Sequence, residues 1–335
     1  MKKILIIYTG GTIGMHKDHT GSLKPFDFGK VTEQVPELNH LNCTLHHHAF
    51  KNLIDSSNVT PEFWQELVEV IKKNYAKHDG FVILHGTDTM AYSASALSFM
   101  LENLSKPVIF TGSQLPLGAI RTDAKRNLIT SIELAAGKVV IPEVCIYFNY
   151  QLYRGNRSEK FTSSKFDAFQ SLNYPALAEV GTDIQYNSAY IAKTPKKKFV
   201  VHNEINPNIG LIRIFPGITG SWMDHLFSIP ELKAVVLETY GSGNAPTDKA
   251  FLSTLQKAIK KGIVIVNVSQ CSGGRVEQGK YETSFQLKKI GVVSGLDLTT
   301  ESALTKLMVL FGRHPNNIEK IKNLMQISLS GEISA

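Results

Sequence analysis

Two short segments of the chain combine an apolar run with hydroxyl and carboxylate side chains at its end. Residues 4–8 are apolar and lead into Gly10-Gly11-Thr12, and residues 81–84 are apolar and lead into Gly86-Thr87-Asp88. Short continuous apolar runs are typical of strands buried on both faces of a parallel sheet. In open α/β sheets, ligands bind beyond the carboxyl ends of the strands. The two segments could therefore deliver a nucleophile, a second hydroxyl and a negative charge to one sheet edge.

Each segment alone is more typical of a tight turn, because Gly-Gly and Gly-Thr after a strand usually mark one. Together, the segments Thr9–Gly14 (Thr-Gly-Gly-Thr-Ile-Gly) and His85–Met90 (His-Gly-Thr-Asp-Thr-Met) resemble the signatures of the L-asparaginase family. Further agreement is spread over most of the chain, in Asp55–Ser57, Thr111–Gln114, Leu152–Arg157 and Tyr240–Pro246. The set is most similar to the cytoplasmic, bacterial type I branch of that family.

The resemblance implies the hydrolysis of L-asparagine to L-aspartate and ammonia through an acyl-enzyme. Amide hydrolysis needs an activated nucleophile, a stabiliser for the oxyanion and a proton for the departing ammonia. By resemblance, the nucleophile is Thr12, and Thr87, Asp88 and Lys160 form a second cluster in which the lysine and threonine relay a proton. Neither a metal nor a cofactor is expected. Taken alone, Lys160 would be interpreted as a solvated charge, because lysines in polar loops usually are.

The resemblance also implies a site for the amino-acid end of the substrate. Asp88 is expected to pair with the substrate ammonium. Ser56 and Ser57, together with nearby backbone amides, are expected to bind the substrate carboxylate, and Thr87 is also expected to contact the substrate. Without the resemblance, residues 55–58 would be interpreted as an Asx-type turn before a helix.

One departure from the family pattern concerns how Thr12 is activated. Many asparaginases carry a tyrosine in the mobile loop after the first signature, where it hydrogen-bonds the nucleophile. The corresponding place here is near Ser22, and no tyrosine lies between Tyr8 and Tyr75. Either a tyrosine enters from elsewhere or the lysine relay acts unaided.

The alternation of apolar runs and helical patterns predicts two α/β domains. The larger N-terminal domain, residues 1–192, has a parallel or mixed sheet with flanking helices and holds the catalytic threonines. A linker at 193–207 precedes a smaller Rossmann-like domain at 208–335. Strands are predicted at residues 4–8, 44–50, up to 85, 107–111, 143–149, 209–215, 234–237 and 263–268. Helices are predicted from 60 onward and at 90–104, 123–136, 246–260, 300–311 and 316–325.

Local signals refine these elements. Thr60 is expected to cap its helix, and Gly312 to end the helix that begins at Thr300. Residues 151–175 show little periodicity and are expected to form an irregular functional loop.

The composition favours a soluble cytoplasmic protein. The net charge is +7 over 335 residues, and its one dense run, Lys196–Lys198, lacks the interleaved aromatic residues typical of nucleic-acid binding. Three cysteines without metal-ligand spacing favour a reduced compartment. The apolar run after Lys3 is shorter than a signal peptide needs, and no run approaches a membrane span. Successive side chains of His46–His48 alternate across a strand, so a shared metal is not expected.

Other functions remain open at the level of the sequence. A broader glutaminase-asparaginase, or the related subunit of tRNA-dependent amidation, would share the signatures, although that subunit typically carries an extra N-terminal domain. A dehydrogenase is less favoured, because the first turn is Gly-Gly-x-x-Gly and not Gly-x-Gly-x-x-Gly. A non-catalytic amino-acid sensor would bind asparagine without turnover. The resemblance further implies a homodimer or homotetramer with active sites near the subunit contact.

Overall fold

The computed structural model describes residues 1–17, 23–25, 31–279 and 282–334. The chain divides into two compact units, Met1–Val201 and His202–Ala335. The mixed α/β architecture with a large and a small sheet confirms the predicted fold class.

The first unit contains fourteen strands and four helices in its described part. The strands are β1 (Lys2–Tyr8), β2 (Met15–Lys17), β3 (Leu23–Pro25), β4 (Cys43–Ala49), β5 (Gly80–Leu84), β6 (Leu101–Glu102), β7 (Val108–Thr111), β8 (Val144–Phe148), β9 (Gln151–Arg154), β10 (Glu159–Lys160), β11 (Phe169–Gln170), β12 (Ala178–Val180), β13 (Ile184–Tyr186) and β14 (Val200–Val201). The helices are α1 (Val31–Gln34), α2 (Pro61–Asn74), α3 (Met90–Met100) and α4 (Ala124–Ala136).

The main sheet of this unit has eight strands in the order β13-β12-β9-β8-β7-β5-β1-β4. Strands β4, β1, β5, β7 and β8 run parallel, and β9, β12 and β13 follow as antiparallel neighbours. The register pairs Tyr8 with Leu84 and Leu84 with Thr111. Three adjacent strands therefore end side by side, and the loops that follow them leave the sheet at one edge.

Burial explains why these strands carry no alternation of polar and apolar residues. Every residue of β5 is buried, as is the run from Ile4 to Tyr8 in β1. Helix α2 presents Phe63, Leu67 and Ile71 on one buried stripe, as expected of an amphipathic surface helix.

The second unit contains four strands and five helices in its described part. The strands are β15 (Ile209–Arg213), β16 (Ala234–Thr239), β17 (Val264–Ser269) and β18 (Val293–Ser294), and the helices are α5 (Gly220–Leu226), α6 (Lys249–Lys260), α7 (Glu282–Ile290), α8 (Thr300–Arg313) and α9 (Ile318–Met325). The four strands form a parallel sheet in the order β15-β16-β17-β18. Sequence reasoning did not predict α5, α7 or β18.

Two helix ends differ from the prediction because tertiary contacts override local pattern. The helix predicted over residues 90–104 ends at Met100, since residues 101–102 pair with β14 as a strand and the chain turns at Asn103 with φ 61°. Gly312 does not end α8, which continues to Arg313. A Cβ on Gly312 would overlap the backbone of Glu204, so the glycine allows a close approach of two chain segments.

Helix caps also differ from the expected ones. Thr60 makes no side-chain cap to α2, and its hydroxyl hydrogen-bonds the Glu62 side chain. Helix α6 begins three residues later than predicted, after Asp248, whose carboxylate accepts the Phe251 amide at 2.9 Å.

The segment 151–175 is more ordered than the expected irregular loop. It contains β9, a 3-10 helix at Gly155–Arg157, and the β10–β11 hairpin that pairs Lys160 with Phe169. Arg154 forms a buried ion pair with Glu143 across β8 and β9. Strand pairing within this hairpin therefore positions Lys160.

Candidate active site

Thr12 is delivered by a glycine turn that packs against the neighbouring loop. Gly10 and Gly11 have φ values of 126° and 84°, which side chains disfavour. A Cβ on Gly11 would lie 2.5 Å from the Gly86 nitrogen, so the turn after β1 contacts the turn after β5 directly. Thr12 begins a short 3-10 helix, Thr12–Gly14, and is half-buried. The first predicted site residue thus lies on the loop that packs against the second junction.

Tyr8 holds the far end of this turn. Its hydroxyl donates to the Gly14 carbonyl at 2.8 Å, and a Cβ on Gly14 would overlap its ring. Burial raises the pKa of Tyr8 to about 12, so the hydroxyl stays protonated near neutral pH and keeps donating. The position near Ser22, where the family tyrosine is expected, lies outside the described residues.

His85 supports the second junction from beneath. Its ring is buried, with Nδ1 2.6 Å from the Gly86 carbonyl oxygen and Nε2 3.0 Å from the Ser93 hydroxyl. Burial lowers the pKa of His85 to about 4, so the imidazole is neutral at physiological pH. These contacts show that His85 orients the Gly86-Thr87 turn from within the core.

Ser56 fits closely against the same turn. A Cβ on Gly86 would overlap the Ser56 hydroxyl, which accepts the Asp88 backbone N–H at 3.3 Å. The Ser56 carbonyl accepts from the Thr89 hydroxyl at 2.6 Å. Ser56 is therefore a buried part of the edge where the predicted residues converge.

Ser57 is placed differently. It is exposed, and both its backbone N–H and its hydroxyl donate to the Asp55 carboxylate, at 2.9 and 2.8 Å. These two hydrogen bonds lower the pKa of Asp55. Residues 55–58 therefore form the Asx-type turn that is the simpler interpretation of their sequence, and this turn presents Ser56.

Lys160 joins Thr87 and Asp88. Its ammonium donates to the Thr87 hydroxyl at 2.8 Å and to the Asp88 carboxylate at 2.6 Å. The Lys160 side chain is 16% exposed, whereas that of Asp88 is 63% exposed. Lys160 is thus a largely sheltered cation, and Asp88 has carboxylate surface left to meet a second cation from solvent.

Gln114 is a site residue that sequence reasoning missed, although its segment Thr111–Gln114 was recognised as part of the resemblance. Its side-chain oxygen accepts the Thr87 hydroxyl at 3.4 Å, and it follows β7, the strand adjacent to β5. A glutamine in a polar loop carries no local signal of such a role. The order of the parallel strands would have revealed it, because loops after β1, β5 and β7 must emerge together.

The arrangement is suited to acyl transfer through a hydroxyl. Two threonines lie on packed loops, a lysine reaches one of them, and a buried serine and an exposed aspartate lie alongside. No group of three or more His, Cys, Asp or Glu side chains within the described ranges is arranged to hold a metal ion. In the run His46–His48, the His46 ring contacts the His78 ring through nitrogens 2.7 Å apart.

Comparisons with known proteins agree with this arrangement. The family model for the asparaginase N-terminal domain matches residues 3–192, and the model for the glutaminase/asparaginase C-terminal domain matches residues 208–325. The chain is 44% identical to L-asparaginase 1 of Escherichia coli K12, with 99% of this chain and 98% of that protein covered.

Solved structures give the same result. L-asparaginase I from Vibrio cholerae superimposes with a TM-score of 0.92 at 41% identity, covering 100% of this chain and 99% of that one. A probable cytoplasmic L-asparaginase from Campylobacter jejuni gives a TM-score of 0.80 at 25% identity, covering 98% and 100%.

The two-domain fold and the family matches define the chain as a hydrolase. The chain belongs to the asparaginase family, and its similarity to type I members confirms the branch predicted from the motifs.

Proposed function

We propose that this member of the asparaginase family hydrolyses L-asparagine to L-aspartate and ammonia through an acyl-enzyme on Thr12. The observation that carries the proposal is the bridge from Lys160 to both Thr87 and Asp88, at the edge where the Thr12 loop packs against Gly86. This edge combines a nucleophile, a proton-transfer group and a carboxylate for an amino acid's ammonium, which together match the needs of the reaction.

In the acylation step, the Thr12 oxygen attacks the side-chain carbonyl carbon of asparagine as its own proton is removed. The oxygen of the tetrahedral intermediate carries negative charge, and backbone N–H groups near Thr87 are suited to receive it. The carbon–nitrogen bond then breaks, and the leaving nitrogen takes a proton to depart as ammonia. An ester between Thr12 and the aspartyl group remains.

In the deacylation step, water attacks the ester and Thr12 recovers its proton as aspartate leaves. We assign the proton transfers to the pair of Thr87 and Lys160, since an amine within hydrogen-bond reach of a hydroxyl can relay a proton once it is neutral. The reaction as proposed uses no cofactor and no metal.

We assign substrate orientation to Asp88 and Ser56. The exposed carboxylate of Asp88 can pair with the substrate ammonium while one of its oxygens accepts from Lys160. The buried Ser56 hydroxyl and the amides of its turn suit the substrate carboxylate. A binding role for Ser57 requires its hydroxyl to leave Asp55.

We also make proposals about the location, the oligomeric state and the binding partners of the protein. We propose a cytoplasmic homodimer or homotetramer that acts on a free amino acid and binds neither nucleic acid nor membrane. Similarity to the Campylobacter jejuni protein, which is described as a probable cytoplasmic L-asparaginase, supports the location. Within the described chain, no helix is both long and apolar enough to cross a bilayer. We also propose that residues 1–192 hold the catalytic threonines and that 193–207 link them to 208–335.

Ammonia release from asparagine and from glutamine, measured across substrate concentration with substoichiometric protein, tests the function. Multiple turnovers with a clear preference for asparagine are expected. Comparable rates on both amides would favour a broader glutaminase-asparaginase. Binding of asparagine by calorimetry without ammonia release would instead indicate a sensor and refute the enzymatic proposal.

A further inference from the structure

Gln114 has a backbone that is clamped independently of its side chain. Its amide N–H donates to one oxygen of the Asp123 carboxylate at 3.0 Å, and the next amide, at Leu115, donates to the other at 3.1 Å. Asp123 is 3% exposed and also accepts from Asn127. The main chain therefore presents the Gln114 side chain from a fixed base.

The side-chain amide group of Gln114 ties down the tip of the β10–β11 hairpin. Its Nε2 donates to the carbonyl of Ser163 at 3.2 Å and to that of Lys165 at 2.9 Å. Residues 163–167 are exposed, and Lys160 lies at the base of the same hairpin. Gln114 thus links the body of the first unit to the segment that carries the lysine.

These two bonds fix the direction of the amide. Both hydrogens of Nε2 are used, so Oε1 faces Thr87, and an amide oxygen can only accept. The Thr87 hydroxyl must therefore donate its hydrogen to Gln114 and leave a lone pair for the Lys160 ammonium. These contacts form a closed circuit, which runs from Gln114 to Thr87, on to Lys160, and through the Lys160 hairpin back to Gln114.

From this circuit we infer that Gln114 is a positioning residue for the proposed hydrolysis. It holds Thr87 as an acceptor for Lys160 and holds the Lys160 hairpin against the strand ends. The inference rests on the proposed function, because it assigns Gln114 a role through the Thr87–Lys160 pair. In the arrangement described, Lys160 donates hydrogen bonds to both Thr87 and Asp88.

Two variants separate this role from simple packing. Gln114→Met keeps the side-chain length and loses both donors and the acceptor, so kcat should fall about 10- to 100-fold, as expected when a catalytic group is displaced by a fraction of an ångström to an ångström. KM should change less than about threefold, because Ser56 and Asp88 hold the amino-acid end. Ser163→Ala, which keeps the accepting carbonyl, is the matched control and should behave as wild type.

Gln114→Glu retains an acceptor for Thr87 but adds a negative charge near Lys160. This charge favours the ammonium, so the acidic limb of the kcat–pH profile should move to higher pH than in wild type. A side chain that serves only as packing would not move this limb. Backbone hydrogen exchange of residues 159–170 should also be faster in both variants, because each loses the hydrogen bonds that the Gln114 side-chain amide donates to the carbonyls of Ser163 and Lys165.

The outcomes separate this inference from the proposed function. If wild-type protein releases no ammonia, the proposed function fails. If wild type is active and Lys160→Met is not, but Gln114→Met keeps wild-type kcat and Gln114→Glu keeps the wild-type pH profile, the Gln114 inference alone is overturned. Should Gln114→Met fail to fold, the pH profile and hydrogen exchange of Gln114→Glu decide the question.

Discussion

Replacing Lys160 with methionine should abolish most turnover while leaving the protein folded. Methionine keeps much of the stem and removes the ammonium, which donates to Thr87 at 2.8 Å and to Asp88 at 2.6 Å. If Lys160 relays protons through Thr87, kcat should fall by about 10²–10⁴-fold, as is typical of general acid–base groups. That range corresponds to roughly 3–5 kcal/mol at about 1.4 kcal/mol per tenfold.

The same change should cost little stability. Asp88 is 63% exposed and can be solvated when its partner is lost, and Thr87 keeps its bond to Gln114. Pairs of this exposure contribute less than about 1 kcal/mol to unfolding free energy. Asparagine affinity should also change little, because Ser56 and Asp88 are assigned to the amino-acid end. The substitution should therefore raise the activation free energy of the reaction by several times more than it changes the free energy of unfolding or of asparagine binding.

The measurement combines an ammonia assay, thermal unfolding and asparagine binding by calorimetry on one preparation. Lys165→Met is the matched control, since Lys165 lies in the same hairpin with an exposed side chain and contributes its backbone carbonyl to Gln114. The control should retain wild-type turnover. Undiminished turnover in Lys160→Met would show that Lys160 is a solvated charge without a catalytic role. It would refute the proton relay through Thr87 and Lys160.

Three further perturbations test other parts of the account. His85 should contribute a loss of stability of roughly 3 kcal/mol between pH 6.5 and 4, because its burial lowers its pKa to about 4 and only the unfolded chain binds the proton in this range. In urea unfolding, the loss over this pH range should therefore be smaller by about that amount in His85→Gln than in wild type. Lys306→Met should destabilise by about 3–5 kcal/mol in urea, since it leaves Glu332 charged and fully buried, and adding Glu332→Gln should recover part of the loss. Ser56→Ala should raise KM by about 10- to 150-fold, the loss expected for a hydrogen bond to a charged group, whereas Ser57→Ala should change it little. Equal effects of the two substitutions would contradict the assignment of the carboxylate to Ser56.

Much of the fold could be predicted because its central strands are buried on both faces. Residues 4–8 and 81–84 carry no charged side chain and are almost wholly apolar, and parallel strands buried on both faces produce such runs. The amphipathic stripe of α2 was equally visible in the sequence. Boundaries failed where distant contacts decide them, as at Leu101, which pairs with Val201, and at Gly312, where a distant backbone approaches.

The residues of the candidate site differ in how far the sequence alone could predict them. Thr12, Thr87 and Asp88 follow two apolar runs, so sequence and strand order alone place them at one edge. Lys160 lies 72 residues beyond Asp88 and was predicted only through the family resemblance. Gln114 was missed, because its role depends on an amide that bridges two loops, and such geometry leaves no trace in residue type.

Ammonia release from asparagine, compared between Thr12→Ala and Thr12→Ser, tests whether Thr12 is the nucleophile. Thr12→Ala should reduce turnover by several orders of magnitude, since the covalent step itself is lost. Thr12→Ser should retain measurable activity, and both variants should unfold at the wild-type temperature. If Thr12→Ala retains most of the wild-type turnover, Thr12 is a turn residue and the mechanism proposed for this protein is wrong.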